Sequence, residues 1–154
     1  MKLYLLRHAD AATLANVDDD RALSEKGIMQ SKTVADFCQQ KNLNLGMILT
    51  SPLLRAQQTA KPVAKKLGIK IETVPWLVYA TEAQQVIDQL DMRSDIPSIM
   101  LVGHEPDFSL LAETLLGSEV GSVHIRKASL TLLDISDFQP GGACLEWSVP
   151  VKMM

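Results

Sequence analysis

Ile99-Met100-Leu101-Val102-Gly103-His104-Glu105-Pro106 is the stretch whose reading decides the fold. Its first four residues form a short, unbroken apolar run. A strand with one wet face alternates apolar and polar residues. An unbroken run marks a strand covered on both faces, the habit of parallel sheets flanked by helices. The run ends at once in Gly103-His104, and a helical pattern follows from about Asp107 to Leu116. Strand, tight polar turn and helix together are the repeating unit of α/β proteins.

The same unit recurs toward the N-terminus. Lys2 to Leu6 reads as a strand leading into Arg7-His8-Ala9-Asp10, and the polar stretch through Asp18-Asp19-Asp20 reads as a surface loop. Leu23-Ser24-Glu25-Lys26-Gly27 opens a helix with Ser24 as N-cap. Its buried stripe is expected at Ile28, Val34, Ala35 and Cys38, and its end at Asn42 or Asn44. Met47 to Thr50 is the next strand. Ser51-Pro52 is expected to cap and begin a helix that runs to Leu67, kinked or divided at Pro62 and stopped by Gly68. Ile69 to Val74 alternates as a strand. Pro75 to Thr81 forms a loop, and Glu82 to Leu90 a third helix. Past Leu116, Ser129 to Asp134 and Ala143 to Val149 read as a closing antiparallel pair around the turn cluster Gln139-Pro140-Gly141-Gly142. The expectation is an α/β protein: a single-domain three-layer α/β/α sandwich with a mostly parallel mixed sheet, spanning residues 1–154.

Composition narrows the function. The chain has 154 residues, 47% of them hydrophobic, with 15 Lys+Arg against 18 Asp+Glu and a net charge of -3. That total argues against a basic nucleic-acid footprint, and the apolar share against wholesale disorder. No apolar run is long enough to span a bilayer. Only four uncharged residues separate Lys2 from Arg7, fewer than the roughly 7 that a secretory signal needs. A cytoplasmic protein is therefore expected, with no membrane or nucleic-acid partner, and as a monomer. Cys38 and Cys144 make neither a ligand pair nor a disulfide framework.

In open α/β sheets, ligands gather beyond the carboxyl ends of the strands. If the runs at 2–6, 47–50 and 99–102 are parallel neighbours, then Arg7, His8, Arg55 and His104 converge on one crevice. Taken singly, each has a bland reading. His8 and His104 can be polar turn residues, Arg55 a solvated helix residue, and His124 an exposed loop residue beside Arg126 and Lys127. Two arginines with two histidines together point to an anion. The guanidinium fork matches phosphate oxygens, and nearby helix N-termini add free N–H groups. A neutral histidine there can attack phosphorus, its second nitrogen held by a backbone carbonyl. The acidic run Asp10, Asp18, Asp19, Asp20 lacks the spacing of a cation site and reads as solvated. No metal and no cofactor is expected. Trp76 and Trp147 read as core or rim aromatics.

Taken together, these segments resemble the histidine phosphatase (phosphoglycerate-mutase-like) superfamily. Leu5-Leu6-Arg7-His8-Ala9 is similar to its Arg-His-Gly signature, with Ala9 in place of the glycine. Thr50-Ser51-Pro52-Leu53-Leu54-Arg55-Ala56-Gln57-Gln58-Thr59-Ala60 is similar to its second signature. Leu23-Ser24-Glu25-Lys26-Gly27 resembles the opening of its first helix, and Val102-Gly103-His104 the segment with its second histidine. The resemblance runs from residue 2 to at least residue 133. Within the superfamily the chain resembles the small bacterial phosphohistidine phosphatases of the SixA type, which carry few insertions around the pocket.

The resemblance implies a phosphoglycerate-mutase-like fold and a role for each residue. His8 is the nucleophile that becomes phosphorylated. Arg7 and Arg55 clamp the phosphoryl oxygens, and His104 donates to the same group. The implied partner is a phosphohistidine-containing protein such as a phosphotransfer domain. The family's usual acid falls near Tyr79 or Ala80, where this chain has none. Glu82 and Glu105 are the nearest candidates for a general acid. Loss of such an acid costs about 10²–10⁴-fold on an ordinary ester. A phosphoramidate nitrogen can be protonated beforehand, so a pocket short of an acid suits N–P cleavage. Two alternatives stand beside this reading: a general phosphomonoesterase acting on a small metabolite, and a non-catalytic phosphohistidine-binding module.

Overall fold

The computed structural model describes residues 1–13 and 21–154. Asp18, Asp19 and Asp20, with most of the loop expected around them, lie outside the described residues. Six strands form one sheet: β1 (Lys2–Arg7), β2 (Met47–Thr50), β3 (Ile71–Thr73), β4 (Ser98–Gly103), β5 (Leu130–Ile135) and β6 (Ala143–Val149). Their order is β3-β2-β4-β1-β5-β6. β1, β2, β3 and β4 are mutually parallel, while β5 runs antiparallel to both β1 and β6. All six residues of β4 are buried, as its unbroken apolar run predicts for the strand between β1 and β2.

Among the described residues, four α-helices cover the sheet: α1 (Glu25–Gln40), α2 (Leu54–Leu67), α3 (Ala83–Asp91) and α4 (Asp107–Leu116). Side chains alternate across the strands and so build two cores. Tyr4, Leu6, Ile48, Met100 and Val102 pack with Val34, Ala35 and Cys38 of α1 and Ala56, Ala60 and Val63 of α2. Leu3, Leu5, Leu49, Ile99 and Leu101 pack with Val86, Ile87 and Leu90 of α3 and Phe108, Leu111 and Leu115 of α4. Layering and sheet are those expected, a single α/β/α domain. The helix after β1 lies on one face and the helix after β4 on the other, so the chain parts between two neighbouring strands. That is the topological switch point where α/β sheets open a crevice.

Several local expectations are corrected. Ile28 is 45% exposed, and the buried stripe of α1 is Gly27, Ser31, Val34, Ala35 and Cys38. The stripe is displaced because Gly27 packs on the chain after β1. A Cβ there would stand 1.9 Å from the Asp10 carbonyl oxygen, so only glycine permits the approach. Ser24 is the N-cap, its hydroxyl accepting from the Gly27 N–H at 3.1 Å. α1 ends at Gln40, with Asn42 just beyond it in the left-handed region. α2 starts at Leu54 with Leu53 as N-cap, so Ser51 is not its cap and Pro52 not its first residue. Pro62 stands inside α2 without dividing it. The third strand is shorter than its alternation suggests, spanning Ile71–Thr73 only. Trp147 packs against Tyr4 and Phe37 at the core margin, and the Arg93 guanidinium lies over Trp76. No described helix is long and apolar enough to cross a membrane.

Candidate active site

Strand register places the chemistry. Arg7 is paired with Gly103 across β1 and β4, and Thr50 with Val102 across β2 and β4. The residues that follow these strands, His8, Ser51 and His104, therefore leave the sheet side by side. The His8 N–H donates to the Gly103 carbonyl at 2.9 Å, and the Ser51 N–H to the Val102 carbonyl at 3.0 Å. Gly103 lets this edge close up, since a Cβ there would meet the Phe108 ring at 2.8 Å. The His8 and His104 rings lie 5.2 Å apart.

His8 is almost wholly buried, and its Nδ1 lies 2.8 Å from the Ala9 carbonyl. A carbonyl can only accept, so Nδ1 carries the proton and Nε2 keeps a lone pair. Burial lowers the pKa of this imidazole to about 4; the Ala9 carbonyl opposes that shift, while Arg55, Arg7 and Lys127 add to it. The ring is thus neutral at physiological pH with Nε2 unprotonated, the form able to act as a nucleophile. Its loop is fixed from below. The Ala9 N–H donates to the Thr59 hydroxyl at 3.0 Å, and that hydroxyl donates to the Arg55 carbonyl at 2.7 Å.

Arg55, the second residue of α2, is 0% exposed, a costly place for a guanidinium. Its guanidinium carbon lies 5.2 Å from the centre of the Tyr79 ring. Arg7 donates from Nη1 to the Ile125 carbonyl at 2.9 Å, and its Nε is buried with no hydrogen-bond partner among the described residues. Burial lowers the pKa of Arg7, against the attraction of Glu105. His104 pairs through Nε2 with the Ser51 hydroxyl at 2.8 Å. A hydroxyl both donates and accepts; where Ser51 donates to Nε2, the proton of the His104 ring sits on Nδ1. Two arginines beside a neutral histidine fit a phosphoryl group. Among the described residues no group of three or more His, Cys, Asp or Glu is arranged to hold a metal ion.

The family model that matches the chain, over residues 3–78, is that of the histidine phosphatase superfamily, branch 1. An uncharacterised protein of Picosynechococcus is 36% identical over 84% of this chain and 82% of its own length. The chain belongs to the histidine phosphatase superfamily. Its resemblance to the SixA-type members extends over nearly the full length. The phosphohistidine phosphatase SixA of Escherichia coli K12 is 24% identical over 97% of this chain and 93% of its own. A solved structure of the protein histidine phosphatase SixA with tungstate superposes with a TM-score of 0.89 at 23% identity, covering 99% and 98% of the two chains. The fold is shared more widely. The α-ribazole phosphatase of Shigella flexneri gives a TM-score of 0.81 at 18% identity, covering 98% of this chain and 97% of that one.

In this histidine phosphatase the two acid candidates sit apart from each other. Glu82 is exposed at the N-cap of α3 and makes no side-chain cap bond. Glu105 follows His104, and its Oε1 accepts from the Ser109 hydroxyl at 2.8 Å and the Ile125 N–H at 3.1 Å. It thereby holds the segment before β5 against the site. Lys127 of that segment reaches Asp10 at 2.8 Å, and the Ala128 N–H donates to the Arg7 carbonyl at 3.1 Å. His124 is exposed, as expected.

Ser51, Tyr79 and Asp107 are the residues that sequence reasoning missed. Burial raises the pKa of Asp107, against a hydrogen bond from the Ala80 N–H. Tyr79 reaches the site from the loop after β3, its ring 4.9 Å from that of His104. A small recess beside His104, lined also by Trp76, Val78 and Asp107, holds about 10 Å³, room for a single water. A far larger cleft, about 710 Å³, opens between α1 and α2, but none of the strand-end residues lines it.

Proposed function

We propose that this protein is a phosphohistidine phosphatase, with His8 as the nucleophile and a phosphohistidine-bearing protein as substrate. The observation that carries this reading is the hydrogen bond from His8 Nδ1 to the Ala9 carbonyl. It leaves Nε2 unprotonated beside Arg7, Arg55 and His104.

The chemistry balances without an added acid. The substrate imidazole carries phosphorus on one nitrogen and a proton on the other. His8 Nε2 forms a bond to phosphorus as the substrate P–N bond breaks, and the electron pair returns to the substrate nitrogen. Both rings keep their own N–H, so the product ring leaves neutral and phospho-His8 is in the same protonation state as the substrate was. Arg7 and Arg55 hold the equatorial oxygens, and His104 donates to one of them. Water then adds to phosphorus, the P–N bond to His8 breaks, and both water protons leave with the dihydrogen phosphate ion. The partner that fits is a phosphotransfer domain with its phosphohistidine on an exposed surface.

The test is a comparison of kcat/KM for a phosphohistidine protein, p-nitrophenyl phosphate and 3-phosphoglycerate. The N–P substrate is expected to lead by at least about 10²-fold, the smallest usual worth of the acid that O–P cleavage requires. Comparable efficiency on 3-phosphoglycerate overturns the reading. It would favour a phosphomonoesterase with Asp107, whose burial keeps its proton more tightly held, as the acid. Tight binding of the phosphohistidine protein without phosphate release would make the protein a binding module.

A further inference from the structure

We propose that the face of Tyr79 is a binding subsite for the leaving imidazole, taken up in its positively charged form. This rests on the phosphohistidine reading above and adds where the substrate ring lies.

Three rings follow one another at the strand ends: His8, His104 5.2 Å from it, and Tyr79 4.9 Å further on. The first two are 7% and 2% exposed, whereas Tyr79 is 41% exposed. In-line displacement sends the leaving nitrogen away from the attacking one, and a ring carried by another protein must arrive from solvent. Tyr79 both touches the phosphate-binding residues and faces outward, so it stands on that path. The substrate ring is therefore placed across Tyr79.

The loop is built to hold that face still. Ala80 adopts a left-handed backbone with φ 56°, strained for a residue with a Cβ. Asp107 accepts a hydrogen bond from its N–H, and the Thr81 hydroxyl donates to the Val78 carbonyl at 2.9 Å. A face fixed in advance costs less on binding.

Electrostatics selects the protonated ring. The π face of tyrosine is negative and attracts cations, as the Arg55 guanidinium at 5.2 Å already illustrates. Arg7 and Arg55 repel a cationic ring, and the phosphoryl dianion offsets them; Tyr79 adds attraction for the ring itself. A protonated ring leaves as neutral imidazole, so Tyr79 favours the substrate form that needs no further proton. Because the positive charge fades as the P–N bond breaks, the attraction belongs to the bound substrate, so loss of Tyr79 raises KM without lowering kcat.

The experiment compares phosphoimidazole with phosphoramidate, whose leaving group, ammonia, has no ring. In Tyr79→Leu the ratio of KM for phosphoimidazole to KM for phosphoramidate should rise about fivefold, with Tyr79→Phe within about twofold of the parent ratio. An unchanged ratio in Tyr79→Leu overturns the subsite, as does an equal loss in Tyr79→Phe. Failure of the underlying reading shows separately, in the unsubstituted protein, as a preference for 3-phosphoglycerate over both N–P compounds.

Discussion

The ends of β1 and β4 present the same residue type in nearly the same place. His8 and His104 each follow a buried parallel strand, the two strands are neighbours in register, and the rings lie 5.2 Å apart. They differ in what holds one nitrogen of each ring. His8 gives a proton to a backbone carbonyl, which fixes its tautomer and leaves the other nitrogen bare. His104 meets a side-chain hydroxyl, which fixes nothing. On the proposed mechanism the carbonyl suits His8 to be the nucleophile, and the hydroxyl suits His104 to be a donor. The division of labour between two like residues thus lies in partners that neither residue type announces.

The comparison breaks first if the two histidines prove interchangeable. His8→Ala should lower turnover of a phosphohistidine protein by about 10⁴-fold or more, since no other group supplies a covalent route. His104→Ala removes one donor to the developing charge and should cost about 10²–10³-fold, with phosphoenzyme still formed. Equal losses, measured as single-turnover rates, would erase the distinction.

The acid side of the pH profile sharpens it further. With a pKa of about 4, roughly 90% of His8 is neutral at pH 5, against about 3% for a histidine at the ordinary 6.5. The free-enzyme rate at pH 5 should thus exceed that of an ordinary histidine nucleophile by about 30-fold, with the acid limb near pH 4. A limb near 6.5 would place the nucleophile elsewhere. The sign for stability follows the same shift. The folded pKa lies below the unfolded one, so His8's contribution is complete above pH 6.5. It is lost as pH falls toward 4, because the unfolded chain takes up the proton first. Smallest of all, Ser51→Ala should cost about tenfold or less, by loosening His104 while leaving His8 untouched. A loss equal to that of His104→Ala would mean that the hydroxyl itself acts on the substrate.

Most of the frame was legible because it is written locally. The apolar run at 99–102 forecast a strand covered on both faces, and β4 is buried throughout. Arg7, His8, Arg55 and His104 were legible as polar groups at strand and helix ends, and the sheet order places those ends together. The remainder depends on contacts between distant segments. Ser51 looks like a helix cap, yet its hydroxyl pairs with a residue 53 positions later. Gly27 reads only as part of a helix opening; its real constraint is the Asp10 backbone. Tyr79 carries no signal of its own in a loop of mixed residues, because its meaning comes from Arg55 and His104 on other elements. The wrong stripe on α1 has the same origin: periodicity favoured Ile28, and the close approach at Gly27 turned the helix.

The most direct measurement is to trap the phosphoenzyme with a phosphohistidine protein at low temperature and locate the phosphorus by NMR and mass spectrometry. Phosphate on Nε2 of His8, in a stoichiometric burst that His104→Ala retains and His8→Ala abolishes, is the predicted result. Phosphate on Nδ1 of His8, on His104, or on no residue during active turnover would contradict it.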